Sequence, residues 1–276
     1  MVATPHRRTL PIVTLLRLAI AAWILVTLAR VARVAWRQRG LAVAVWRGIR
    51  PRHVLGGLAL LAGVGSVAGV LVALVPGMDL GLGRLVGLTS NAVFAPLEEG
   101  LAHAAPAPET GPDWPLALGA TAFLLPLLLL LPWLAFVEEE IFRAGLEDAR
   151  LGRVAVASLV FGLVHLVMLV PIGAALAIGV AGGFYASVYR RGHAAAGPVP
   201  RVVHANYRPT RRARRAVARA HLPSPAMPLG VVTTDPAPEH RQVAGVYAAT
   251  VWHATFNSLV VLLVWLSLLM AALTGA

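Results

Sequence analysis

The fold is decided by Leu116–Arg143, LALGATAFLLPLLLLLPWLAFVEEEIFR. Its first 22 residues, through Val137, contain no ionisable side chain. As a helix they reach roughly 33 Å at ~1.5 Å per residue, enough to cross a hydrocarbon core of about 30 Å. The run then stops in Glu138, Glu139 and Glu140. The whole chain shares this character: of 276 residues, 58% are hydrophobic and 13% charged, with mean hydropathy +0.75. A soluble domain carries about 25% charged residues, and a disordered chain needs low hydrophobicity. Both classes are excluded. The expected fold is all-α, a polytopic membrane helix bundle. At roughly 20 apolar residues per span, about six to eight transmembrane helices fit.

Further spans are expected at residues 9–29, 54–76, 154–170, 172–189 and 243–271. The 9–29 stretch follows Arg7 and Arg8, but no small-residue cleavage site precedes Arg30, so it reads as a retained anchor rather than a signal peptide. In 54–76, Gly56, Gly57, Gly63 and Gly65 leave room for close helix approach. Leu85–Leu97 is apolar but short, which suits a re-entrant or interfacial segment. LAVAVW at 41–46 could hide one more helix. The chain divides into N-terminal membrane helices and connectors over 1–114 and a chemistry-bearing membrane domain over 115–276. An Arg-rich insertion at 190–242 interrupts the second.

All 24 basic residues are Arg, against 12 acids. With the abundant Ala, Gly and Pro, this is the composition of a high-GC bacterial genome, and the expected location is the bacterial cytoplasmic membrane. The sequence pI of about 11.6 is read as a positive-inside bias rather than a nucleic-acid footprint. The connectors 30–53 and 190–242 are therefore expected in the cytoplasm, and the acid-rich 77–114 outside. Residues 201–220 hold seven Arg and suit a short basic helix on anionic lipid headgroups; nucleic acid is disfavoured as a partner. With no Cys, disulfides, thiolate metal sites and a Cys nucleophile are ruled out.

Ionisable groups inside apolar helices are functional candidates by default, and three clusters qualify. In FVEEEIFRAG, Glu139 and Arg143 are four apart and share a helix face. Glu138 is rotated about 100° from Glu139, so one carboxylate can be neutralised while its neighbour is left to act on a proton. In SLVFGLVHLV, Phe161 and His165 are one turn apart. In VWHATFNSLV, His253 and Asn257 share a face, and Asn is a neutral donor suited to an oxyanion or a bound water. Singly, each reads equally as a helix end, a core histidine or interhelical glue. Converging in a bundle core, they supply a general base, a partner for attacking water, and oxyanion donors. Those are the parts of amide hydrolysis without a nucleophilic Ser or Cys.

Glu138-Glu139-x-x-x-Arg143, Phe161-x-x-x-His165 and His253-x-x-x-Asn257, in that order, resemble the three motifs of the CPBP intramembrane proteases, which include the type II CAAX prenyl endopeptidases, or Abi group. The match covers about 138–260. The resemblance implies a membrane helix bundle and an endopeptidase acting on a membrane-embedded or lipid-anchored peptide or protein. It implies Glu138 as catalytic base, His165 as helper in activating water, and His253 with Asn257 as oxyanion donors. Glu139 and Arg143 become a supporting pair, and Phe161 lines the site. No cofactor is the favoured expectation. The alternative is zinc on Glu138, His165 and His253, since three ligands plus water satisfy a catalytic zinc.

Only this frame fits, because pairing Glu139 with Glu140 would put Ala144 where the Arg belongs. Glu98-Glu99-x-x-x-His103 echoes the first motif without the Arg and is read as solvated. The insertion at 190–242 is a departure that leaves a specificity element, a lipid anchor and a solvated linker open. Two other functions are carried: a non-catalytic membrane scaffold or bacteriocin-immunity-type protein, and a proton-coupled transporter using Glu138 and His165 as a relay. Against transport, no repeated halves with broken helices are visible.

Overall fold

A computed structural model describes residues 22, 26, 29–81, 112–220 and 237–274. The chain forms two compact units, residues 1–39 and 40–276. The described end of the first is helical over 29–37. Most of the expected span at 9–29, the segment 85–97 and Glu98-Glu99 lie outside the described residues. Among those residues there is no strand, and five helices are long and apolar enough to cross a membrane.

The elements, in order, are α1 (Arg39–Gly48), α2 (Pro51–Leu74), α3 (Trp114–Phe142), α4 (Leu151–Val164), a 3₁₀ turn (His165–Met168), α5 (Ile172–Ala195), α6 (Arg201–Asn206), α7 (Arg211–Ala220) and α8 (Pro238–Thr274). LAVAVW lies in α1, whose 10 residues are too few to span. The long helices outrun their apolar stretches because hydropathy marks lipid contact, whereas caps mark helix ends. Asp113 starts α3 by accepting the Leu116 N–H at 3.0 Å, and Pro115 fills an early position where a missing N–H is harmless. Helix α8 runs for 37 residues, about 55 Å, well beyond what a bilayer core requires. Helix α5 continues to Ala195, so the connection to α8 is 196–237 rather than 190–242.

Helix α5 sits in the middle, packed on α2, α4 and α8, while α8 also packs on α2 and α3. Its small residues make this possible. A Cβ on Gly162 of α4 would overlap the Ala175 carbonyl and lie 2.6 Å from Gly179 N on α5, so the two backbones touch. On α2, a Cβ at Gly56 would meet Trp252 at 2.5 Å and one at Gly57 would meet Leu259 at 2.9 Å. At Gly63 and Gly65 an added Cβ would meet no atom of the described residues within 4 Å, so the close approaches seen on this helix are at Gly56 and Gly57.

The bundle has two unlike ends. At one, Asp113 N–H donates to Ala272 O, and the N–H groups of Ile172 and Gly173 donate to Leu80 O and Met78 O. Its described connections, 75–81, 112–113 and 169–171, contain Asp79 and Asp113 and no Arg. The other end gathers Arg47, Arg50, Arg52, Arg150, Arg190, Arg191 and the 201–220 arm. This asymmetry is the kind that the positive-inside rule links to sidedness in a membrane.

The arm is docked, not a solvated linker. Val203 and Ala213 are fully buried and Tyr207 nearly so, in the same core cluster as Leu41, Val45 and Val246. Tyr207 donates to Gln242 Oε1 at 3.1 Å, and Gln242 Nε2 donates to Glu147 at 3.0 Å and to Ala213 O at 3.1 Å. Glu147 also accepts from the Tyr189 hydroxyl at 2.7 Å, and the Arg208 backbone N–H donates to Glu140. Burial, then the carboxylates of Glu140, Glu147 and Glu239, push the Tyr207 hydroxyl well above its usual range, fixing it as a donor.

Candidate active site

The chemistry collects where α3 stops. Helix α3 ends at Phe142, and Arg143 caps it, with its backbone N–H on Glu139 O at 2.9 Å. A guanidinium at a helix C-terminus also complements the dipole. The chain then turns through Gly145, at φ +86°, a conformation suited to glycine. The turn packs inside the protein: Ala144 and Leu146 are fully buried, and Gly145 N–H donates to the Tyr189 hydroxyl at 3.3 Å. Irregular backbone at this depth needs such internal partners.

Glu139 and Arg143 are both fully buried, with Nε and Oε2 3.3 Å apart, an ion pair without an aligned hydrogen bond. The other oxygen of Glu139 bonds His253 Nδ1 at 2.8 Å. With Nδ1 committed to Glu139, Nε2 is the nitrogen facing outward, and Glu138 Oε2 lies 3.7 Å from it. That exceeds a hydrogen bond. The sequence geometry turned Glu138 away from Glu139. In the structure both carboxylates reach the same imidazole, one on each nitrogen, because a glutamate side chain is long enough to offset a 100° rotation when the target lies between them. Glu138 is the accessible member, at 34% side-chain exposure, though its Oε2 is buried.

Aromatic rings floor and wall the cluster. The Arg143 guanidinium lies over Phe161 at 4.6 Å, a cation–π contact strengthened by burial. Phe161 meets His253 edge-on at 5.6 Å and His165 at 5.0 Å. His165 places Nδ1 2.8 Å from Phe161 O, which fixes its ring and leaves Nε2 to face elsewhere. A Cβ at Gly182 of α5 would lie 2.9 Å from Phe161 and 3.2 Å from Arg143 Nη2. Gly182 is thus required by close approach, and it sets the depth at about 15–20 Å from either end of α5.

The structure therefore brings Glu138, Glu139, Arg143, Phe161 and His253 into contact from α3, α4 and α8. His165 joins through Phe161. Asn257 follows His253 by one turn and is half-buried. Among the described residues, no three His, Asp or Glu side chains are placed to hold a metal ion; Glu138, His165 and His253 do not form such a set.

Sequence reading passed over Tyr185. Its ring stacks on His253 at 4.6 Å with planes 20° apart, and its hydroxyl is within electrostatic reach of Glu139, Arg143 and Glu138. The one available signal was a tyrosine inside the small-residue run VAGGFYAS of a central span. The Tyr185 hydroxyl, all three Arg143 side-chain nitrogens and one oxygen each of Glu138 and Glu139 are buried with no hydrogen-bond partner among the described residues. Buried polar atoms are nearly always paired. Three of these six atoms still lie at ion-pair distance from a partner, Arg143 Nε with Glu139 Oε2 and Glu138 Oε2 with His253 Nε2; Arg143 Nη1, Arg143 Nη2 and the Tyr185 hydroxyl have neither kind of contact among the described residues. No protein family, curated protein or solved structure matches the chain.

Proposed function

We propose that the chain is an intramembrane endopeptidase of a bacterial cytoplasmic membrane, cleaving a peptide bond of a membrane-embedded or lipid-anchored substrate, as its motifs resemble. The observation that carries this reading is His253 held between two carboxylates, 2.8 Å from Glu139 and 3.7 Å from Glu138, midway through a bundle of apolar helices. Such a cluster is expensive at that depth and needs a use.

In this reading Glu138 is the general base. It takes a proton from a water whose oxygen adds to the scissile carbonyl carbon; His165, anchored by the Phe161 carbonyl, orients that water. The developing oxyanion is met by the carboxamide of Asn257 and by His253 as an imidazolium, the form in which Nε2–H can donate to it while Nδ1–H donates to Glu139. Glu139 holds His253 in orientation, and Arg143 balances Glu139. Collapse of the intermediate breaks the C–N bond, with the proton on Glu138 passing to the leaving amine.

The test uses purified protein in liposomes with a fluorogenic peptide fused to a single transmembrane helix. Wild type is expected to cleave it. Glu138→Gln should lower kcat by about 10²–10⁴, the range of a lost general base, with the melting temperature little changed. Equal rates, or function preserved in the amide variant, would remove the reading in favour of a scaffold. Cleavage is expected to survive a chelator; its loss together with stoichiometric zinc would make the mechanism metal-dependent.

A further inference from the structure

Helices α6 and α7 form an arm between α5 and α8 that the proposed peptidase chemistry leaves unused. Helix α7 is sided. Ala213 is buried and Ala216 and Val217 are half-buried, whereas Arg211, Arg214 and Arg215 are exposed, as are Arg201 and Arg208 beside them. The helix is capped by its own sequence, with Thr210 Oγ1 accepting the Ala213 N–H at 3.1 Å. The arm has no carboxylate of its own: no Asp or Glu occurs between Asp148 and Asp235.

The height of the arm is also fixed. Gln242 bonds both Ala213 O and Glu147, and Glu147 bonds Tyr189, the residue before Arg190 and Arg191 in the last turns of α5. The arginine face is thus tied by a short hydrogen-bonded chain to the end of a spanning helix, where headgroup phosphates lie. The attraction between these cations and anionic headgroup phosphates is one of charge, and each basic residue near the surface adds to it.

We propose that the arginine face of this arm, centred on Arg208, Arg211 and Arg214, binds anionic phospholipid headgroups at the cytoplasmic surface. Nucleic acid offers the same phosphate chemistry, but a surface fastened at headgroup level meets lipid first and at high local density. The inference does not depend on peptidase activity, and its readout is lipid binding alone.

The probe is fluorescent phosphatidylglycerol titrated onto the full-length protein in neutral detergent micelles, with phosphatidylcholine as reference. The arm variant R208Q/R211Q/R214Q is compared with wild type and with R150Q/R153Q, exposed arginines of the same end outside the arm. The arm variant should lose affinity for phosphatidylglycerol by roughly tenfold or more, and wild-type binding should weaken with salt. A second arm variant, R208K/R211K/R214K, should retain binding, since it keeps the charge. Equal loss in the arm and control variants, no loss in the arm variant, or loss in the lysine variant overturns the proposal. So does tighter binding of a single-stranded RNA oligonucleotide than of phosphatidylglycerol at the same salt.

Discussion

Glu139 and Glu147 lie eight residues apart on either side of one turn, and both point into the protein, yet their surroundings are opposite in kind. Around Glu147 the hydrogen bonds close. Its two oxygens accept from Gln242 and Tyr189, the Gln242 amide gives its remaining proton to Ala213 O, and its carbonyl accepts from Tyr207. Around Glu139 they do not close among the described residues: Arg143 Nη1 and Nη2 and the Tyr185 hydroxyl are buried without a hydrogen-bond partner. A closed network holds an element in place. An open one carries about 1–3 kcal/mol of unmet hydrogen bonding per group, and proteins keep such sites chiefly where something must bind or react. In the proposed reading, the contrast gives Glu147 an architectural role and Glu139 a place in the site.

Substitutions can break this contrast. The largest effect is expected at Glu139→Gln, which leaves the buried Arg143 guanidinium without its charge partner. Removing one partner of a buried pair costs about 3–5 kcal/mol, so thermal unfolding should fall sharply and any cleavage should drop with it. Next is Gly162→Ala, where the new methyl would force α4 and α5 apart; overpacking costs about 1–3 kcal/mol. Gly63→Ala, where the new methyl meets no atom of the described residues within 4 Å, should be neutral or slightly stabilising by melting temperature. A loss comparable to that at Gly162, about 1–3 kcal/mol, is expected for Gln242→Leu, which leaves the Tyr207 hydroxyl and Glu147 Oε1 without their partner. Cleavage per folded molecule should not change, and a loss of kcat there would erase the distinction between the two networks.

The smallest effect is on pH. Burial, then the stacked His240, 3.2 Å away, hold the His204 imidazole below its usual 6.5, against a weaker opposing pull from Glu239. The unfolded form then binds more protons as pH falls through 6.5, so stability drops in that window and levels off below the folded value. Proteolysis of the arm at falling pH should accelerate in wild type and less so in His204→Gln.

Several features were legible because their causes are local. Apolar runs locate the spans at 54–76, 115–137 and 243–271 to within a few residues at most ends. The four-residue spacing of Glu139 and Arg143 puts them in contact on one helix. The Glu147 network was not legible. Its members are separated by 42 and 95 positions, and no periodicity links a glutamine five residues into α8 to a turn after α3. Tyr185 was missed for the same reason: its partner His253 is on another helix.

Taken alone, the sequence determined that this chain is built of helices apolar and long enough to cross a membrane, and which few ionisable groups they carry, because transfer energies and helical periodicity depend only on neighbouring residues. The tertiary structure decided which of those groups meet. Only when α4 and α5 close on Gly162 and Gly182, and α8 is laid against the end of α3, does one imidazole come to lie between two carboxylates. That juxtaposition is a property of packing, and packing is set by shape across the whole bundle rather than by any stretch of the chain.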